Sequence, residues 1–195
     1  MVTLEKDKYM KIRKSYLYFS CLILLMANII SFAQVKEMPL KSLFLEAAIR
    51  FITWPADTIN TPEHTRSKKF IIGYFKESAF TPHLKQVFSR KVIKNRDVTL
   101  KAIDSLSNIS TCDLVFIPES EKNNLLKILK FSEGKPVLTV SDCPDFCKQG
   151  LILCLTIEGQ KINCLINEEE ALKSNLKVSY HLLQKSKIVK TQVLK

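Results

Sequence analysis

Three near-continuous apolar runs constrain this chain more than any other feature: Lys69-Phe-Ile-Ile-Gly-Tyr-Phe75, Asp113-Leu-Val-Phe-Ile117 and Pro136-Val-Leu-Thr-Val140. Each is rich in β-branched and aromatic residues and too short for a core helix, the form taken by a strand buried on both faces. Between the runs the pattern turns helical. Thr81-Pro82 predicts a helix start, with threonine as cap and proline in the first turn, carried on by His83, Leu84, Val87 and Phe88. Arg90 to Asn95 reads as a basic turn, and Asp97 to Ile103 alternates like a half-buried strand. Pro118-Glu-Ser-Glu121 opens a further helix through Leu125, Leu126 and Leu129, its acidic first turn suited to the helix dipole, and Gly134 closes it. This alternation predicts βαβ units: a single three-layer α/β domain with a mainly parallel sheet and helices on both faces.

The last third changes register. Leu151–Ile157 and Lys161–Ile166 flank Glu158-Gly159-Gln160, which predicts a C-terminal β-hairpin with Ile157 facing Lys161. Asn167 then caps a helix led by Glu168-Glu-Glu170, and a final helix is expected from about Val178 to Ile188. Ahead of the first strand, a helix from about Leu40 places Leu40, Phe44, Ala47/Ala48 and Phe51 on one stripe, expected to be its buried face. Pro55 stops that helix, because the residue before a proline is pushed out of the helical region. Trp54, the sole tryptophan, sits at the break and reads as an aromatic lid on the core.

Residues 1–33 have the layout of a secretory signal. Lys6, Lys8, Lys11, Arg13 and Lys14 form a basic head, Ser15–Phe32 is mostly apolar and uncharged, and Ser31-Phe32-Ala33 supplies the small residues of a cleavage site, with Gln34 the expected mature start. Residues 34–195 then form one domain of ordinary size. The whole chain has 30 basic and 19 acidic residues; removing the five and two of the leader leaves 25 against 17, a net charge of +8. These charges are scattered without aromatic interleaving, which argues against nucleic acid as a partner.

Five of the six cysteines follow the leader: Cys112, Cys143, Cys147, Cys154 and Cys164. An exported chain oxidises its thiols, so one bridge among Cys143, Cys147 and Cys154 is expected, with Cys154–Cys164 across the hairpin as the second choice. No metal site is expected, because Cys143-x3-Cys147 lacks a neighbouring histidine to complete zinc-like spacing. Catalytic and cofactor patterns are absent as well. The four glycines form neither a Gly-x-Ser-x-Gly elbow nor a phosphate loop, and His64, His83 and His181 are dispersed. A non-enzyme without a cofactor is the reading. Open α/β sheets bind ligands beyond the carboxyl ends of their strands, which makes Lys76, Ser141 and Asp142 the candidate ligand cleft.

In order and spacing the landmarks resemble the YfiR-like family of exported regulators. The resemblance runs from the leader through Leu45-Glu-Ala-Ala-Ile-Arg-Phe-Ile-Thr-Trp54-Pro55 to Ile71-Ile-Gly-Tyr-Phe75 and Cys112-Asp-Leu-Val-Phe-Ile117. It continues through Pro136-Val-Leu-Thr-Val-Ser-Asp142, Gly150 and Ile166-Asn167. It implies a periplasmic, homodimeric protein that restrains an inner-membrane signalling protein by binding its periplasmic portion. That partner is a diguanylate cyclase or a sensor kinase, and the output is of the cyclic di-GMP and biofilm type. A stand-alone periplasmic module for an unidentified small molecule is the alternative. The resemblance also implies that Cys147 and Cys154, which bracket Gly150, form a bridge. Cys112 has no upstream cysteine after the leader to pair with and is expected to be a buried free thiol.

Overall fold

Six apolar-rich residues, Lys69–Tyr74, form β2 near the middle of an eight-stranded sheet, hydrogen-bonded on one side to β4 (Arg96–Ala102) and on the other to β5 (Leu114–Phe116). The computed structural model describes residues 37–58, 69–75, 78–159 and 161–192, so the expected leader and Lys76 lie outside the described residues. Beyond β5 come β6 (Leu138–Ser141), β7 (Leu153–Glu158), β8 (Lys161–Ile166) and β10 (Lys187–Ile188). β3 (Val92–Ile93) borders β4, which gives the order β10-β8-β7-β6-β5-β2-β4-β3. Pairing from β4 through β7 is parallel throughout, and the antiparallel ladders are the hairpins β3–β4 and β7–β8. The expected mixed α/β architecture with a C-terminal hairpin is what the chain adopts.

Both hairpins turn in two residues. Lys94 and Asn95 connect β3 to β4 with φ of 52° and 59°, the left-handed pair that matches strand twist. The Lys94 ammonium donates to the Arg50 carbonyl at 3.2 Å, which holds a residue type with little intrinsic taste for that conformation. In the second hairpin Glu158 faces Lys161, and Gly159 takes a φ of 65°. The expected partner of Lys161 was Ile157, so the register is one residue tighter than the three-residue loop implied. A one-residue shift moves every side chain to the other face. Cys154 therefore faces Leu165 and Cys164 faces Leu155, so the two cysteines project from opposite sides of the sheet and the Cys154–Cys164 alternative is excluded.

Side-chain alternation gives the sheet two apolar faces. Leu114 and Phe116 of β5 join a cluster with Leu45, Ile49, Trp54, Phe70, Phe80 and Phe88. Val115 and Ile117 join a second with Ile109, Leu125, Ile128, Phe146 and Leu151. The first face is covered by α1 (37–49), α3 (Thr81–Phe88), α6 (Glu168–Lys173) and α7 (Tyr180–Gln184). The second is covered by a 3-10 turn (Leu106–Thr111), α4 (Leu125–Ser132) and α5 (Pro144–Lys148).

Local expectations shift in three places. Helix α1 ends near residue 50 because Ile52–Thr53 (β1) pairs antiparallel with Lys177–Val178 (β9). Pro55 accordingly does not terminate α1; it opens the short helix α2, Pro55–Thr58, where its missing N–H costs nothing. The buried stripe of α1 is Ser42, Leu45, Ala48/Ile49, continuing to Ile52, while Leu40 and Phe51 are each 44% exposed. The helix has two apolar stripes at the same spacing, and contact with the sheet decides between them. Toward the C-terminus, the single helix expected over 178–188 is broken into β9, α7 and β10. Ser179 caps α7 by accepting the Leu182 N–H, and Val189 N–H then bonds Ile166 O beside β8. Asn167 caps α6 as expected, its side chain accepting from the Glu170 N–H at 3.3 Å. Thr81 is the first residue of α3 rather than its cap, its hydroxyl instead donating to Phe75 O at 3.2 Å.

Candidate functional site

The Trp54-Pro55 corner is built by β1, which leaves the indole lying edge-on to Phe70 with ring centroids 5.3 Å apart. Trp54 Nε1 donates to the Asp113 carbonyl at 3.2 Å, and Trp54 N donates to Asp57 Oδ2 at 3.0 Å. The Asp113 carboxylate accepts from Arg96 Nη2 at 2.6 Å with one oxygen and from the Ile71 N–H at 2.8 Å with the other. Arg96 is buried; its Nη1 donates to Lys69 O at 3.2 Å and its guanidinium lies 4.7 Å from the Phe70 ring centroid. One desolvated ion pair thereby joins the first residues of β2, β4 and β5 to the corner. A cavity of about 220 Å³ opens beside it, lined by Trp54, Arg96, Cys112 and Asp113 among others. The carboxylate and both Nη atoms of the guanidinium are committed to structural partners, while Arg96 Nε is buried without one; the network positions strands and offers neither base nor nucleophile.

At the opposite ends of the strands lies the candidate cleft. β2 has β4 on one side and β5 on the other, so the chain reverses its direction of growth there, as at ligand sites of open α/β sheets. Ser141 ends β6 fully buried, and its Oγ accepts the Cys143 N–H at 3.0 Å, closing a turn. Asp142 is half-buried. Burial pushes its carboxyl above the usual range, the Lys41 ammonium pulls it back, and the Glu119 charge adds to the rise. Lys41, only 6% exposed on α1, is the cation that sequence reasoning missed. Its signal was a lone lysine beside Ser42 in an apolar stretch. The structure thus groups Asp142 with Lys41 and Glu119 and gives the Ser141 hydroxyl a backbone role. Neither Ser141 nor Asp142 lines the cavities described here.

Cys147 of α5 is bonded to Cys154 of β7, seven positions further on, with Cα atoms 6.0 Å apart. Gly150 allows the short return, with a φ of 118° that side chains rarely adopt and a Cβ position only 3.3 Å from Leu129 Cδ1, a tight contact. Cys112, Cys143 and Cys164 are free thiols. Burial raises the Cys112 thiol, whose Sγ lies where a Cβ on Gly73 would meet it at 2.9 Å. Cys164, on the opposite face, is pushed up to about 11 by burial. Burial also raises Cys143, which is half-exposed at the start of α5. Among the described residues, no group of three or more His, Cys, Asp or Glu side chains is placed to hold a metal ion.

The second apolar stripe of α1 faces outward. Leu40, Leu43 and Phe51 are exposed, with Phe44 half-buried between them. A groove of about 320 Å³ runs between this helix and α7, walled by Phe44, Phe51, Ile162 and Leu182, with Lys185 and His181 at its edge. Clustered exposed apolar side chains of this kind mark interaction surfaces.

By its fold this is a mixed α/β protein with a mostly parallel eight-stranded sheet, helices on both faces and a C-terminal hairpin. The chain belongs to the YfiR/HmsC-like family, DUF4154, whose profile matches residues 39–187. No curated protein matches the chain. Among solved structures it is similar to a conserved domain protein from Vibrio cholerae O1 biovar El Tor (8% identity, TM-score 0.45, 62% of this chain and 55% of that one). It is also similar to an ABC domain in complex with L-Trp from Streptococcus pneumonia (10% identity, TM-score 0.43, 61% and 54%). The chain spans about half the length of each.

Proposed function

We propose that this protein is a non-enzymatic periplasmic regulator that binds the periplasmic portion of an inner-membrane signalling protein and restrains it. Membership of the YfiR/HmsC-like family over residues 39–187 carries the reading. The partner is a diguanylate cyclase or a sensor kinase, and the output is of the cyclic di-GMP type. Residues 1–33 act as the export signal, cleaved after Ala33, and the mature protein works as a homodimer. The absence, among the described residues, of any helix long and apolar enough to cross a membrane fits a protein that reaches its partner from outside the bilayer. The outward stripe of α1 supports a docking role, because an exposed Leu40–Leu43–Phe51 surface serves no purpose in the core beneath it. Lys76, Ser141 and Asp142 are the proposed cleft for any small-molecule effector, with the Lys41 ammonium acting electrostatically on the Asp142 carboxyl.

Crosslinking in the native envelope followed by pull-down tests the reading. The protein should recover a membrane-bound cyclase or kinase, and Phe51→Ser should lose most of that recovery while the fold stays intact. Recovery of no membrane signalling protein would count against restraint by direct binding.

A further inference from the structure

Helix α5 covers only part of the hairpin beneath it. Strand alternation puts Thr156 on the same side of β7 as Cys154, which α5 covers through its bond to Cys147. Asn163 stands directly opposite Thr156 on β8, and Lys187 of β10 is in register with Leu165 on that same side. Where α5 ends, at Lys148, a cavity of about 390 Å³ remains, with Thr156 and Asn163 among the residues that line it. Lys148, Lys185 and Lys187 also line it, against a single acid, Glu158.

Charge and hydrogen bonding both leave this cavity incomplete. Glu158 faces Lys161 across the hairpin, and Lys148 is held by Asp145 at 2.9 Å. Lys185 and Lys187 form no salt bridge among the described residues. On the floor, the Thr156 hydroxyl is shielded from solvent and has no hydrogen-bond partner. A buried hydroxyl without a partner is unfavourable, and nearly all such groups in folded proteins find one. The volume is that of a small-molecule site. What the walls supply is a set of ammonium donors around neutral hydroxyl and amide groups. That set suits an anion with three or more oxygens better than a carboxylate with two.

We propose that the cavity between α5, the β7–β8 hairpin and β10 binds a phosphate group, with the Lys185 and Lys187 ammoniums as its counter-ions and the Thr156 hydroxyl, turned into the cavity by rotation about χ1, donating to one of its oxygens. Free phosphate, a soluble phosphate monoester and a phospholipid headgroup share this chemistry. The site shares Lys185 with the edge of the groove beside α1, but its other lining residues are separate from that groove; absence of phosphate binding would leave the regulatory reading untouched.

Titration calorimetry of the purified protein with inorganic phosphate, at physiological ionic strength to screen diffuse attraction, tests the site. Saturable one-site binding is expected. The exposed pair Lys185→Ala/Lys187→Ala should weaken it by about tenfold or more, since two charge-assisted contacts are lost. Thr156→Val, which keeps the side-chain volume, should weaken it about threefold or more through one neutral hydrogen bond. Removing the same charge elsewhere, with Lys122→Ala/Lys127→Ala, should leave it within about twofold. A second arm floats the protein with phosphatidylcholine vesicles with and without phosphatidic acid. Recruitment by phosphatidic acid that is reversed by inorganic phosphate assigns the site to a headgroup, and phosphate binding without recruitment assigns it to a soluble ligand. No saturable binding in either arm would overturn the proposal, as would equal losses in the two lysine pairs.

Discussion

The two faces of the sheet are held by different means. The face beneath α1, α3, α6 and α7 is packed with large rings: Trp54 against Phe70, Phe80 stacked on Phe116 with centroids 4.3 Å apart, and Phe88 beside them. The face beneath α4 and α5 has fewer rings, carries Cys112, Cys147 and Cys154, and holds its shortest helix by a covalent bond. Helices α1 and α3 present long amphipathic stripes and bury enough area to stay in place. Helix α5 has five residues and buries little beyond Phe146 and Cys147, so a cross-link supplies what area does not. An aromatic core tolerates oxidation and reduction alike, while a tethered helix depends on its compartment.

The comparison can be broken first at Trp54. Trp54→Ala should destabilise by about 3–5 kcal/mol, because it empties an aromatic site and removes the donor to Asp113 O; urea denaturation measures this. A much smaller loss would mean that the aromatic face is not the main source of stability. On the same face, Cys164 gives a pH handle. Its thiol titrates near 11 in the folded chain against 9.0 for the free group, so the folded state holds its proton longer. Stability from this group is fully present below pH 9 and is lost as pH rises to 11, at most about 2–3 kcal/mol. Cys164→Ala should flatten that part of the denaturation profile.

For the other face, Cys147→Ser with Cys154→Ser should cost about 2 kcal/mol, the figure for a short closed loop. A reductant should lower the thermal midpoint of the wild type by a similar amount and leave the double variant unmoved. Smaller again is Gly73→Ala, at about 1–2 kcal/mol, since its Cβ would meet Cys112 Sγ and Ile103 Cδ1 at 2.9 Å. Cys112→Ala should recover part of that loss in a double-mutant cycle. Smallest is Phe51→Ser on the outward stripe, within about 0.5 kcal/mol of wild type by thermal melting. A loss several times larger would place Phe51 in the core and remove the support that the α1 surface lends to docking.

What could be read from the residues divides along the same line. Strands buried on both faces announce themselves, because Leu114-Val-Phe116 leaves no polar side for water, and β2, β5 and β6 were legible for that reason. Amphipathic α1 was legible as a helix but not in rotation. Leu40–Phe44–Phe51 and Leu45–Ile49–Ile52 have the same spacing, and only the sheet decides which turns inward. The hairpin was visible, yet its register hung on one turn residue. The break of the last helix could not be seen, because β9 pairs with residues more than a hundred positions earlier. Lys41 shows the limit for sites: a single buried cation meets Asp142 only through folding.

Strand β10 has a consequence for how the chain is made. It lies parallel to β8, Val189 N–H bonds Ile166 O, Asn167 Nδ2 donates to Thr191 Oγ1 at 3.0 Å, and Gln192 N–H bonds Lys148 O at 2.7 Å. The Leu165–Ile166 end of β8 is therefore covered by residues 187–192, which follow the rest of the described sheet in vectorial synthesis. Until they arrive, that end of β8 is an open template bearing Leu165 and Ile166, able to pair with a neighbouring chain. A product truncated at Ser186 would keep nearly all of the packed interior and still be the species most prone to self-association.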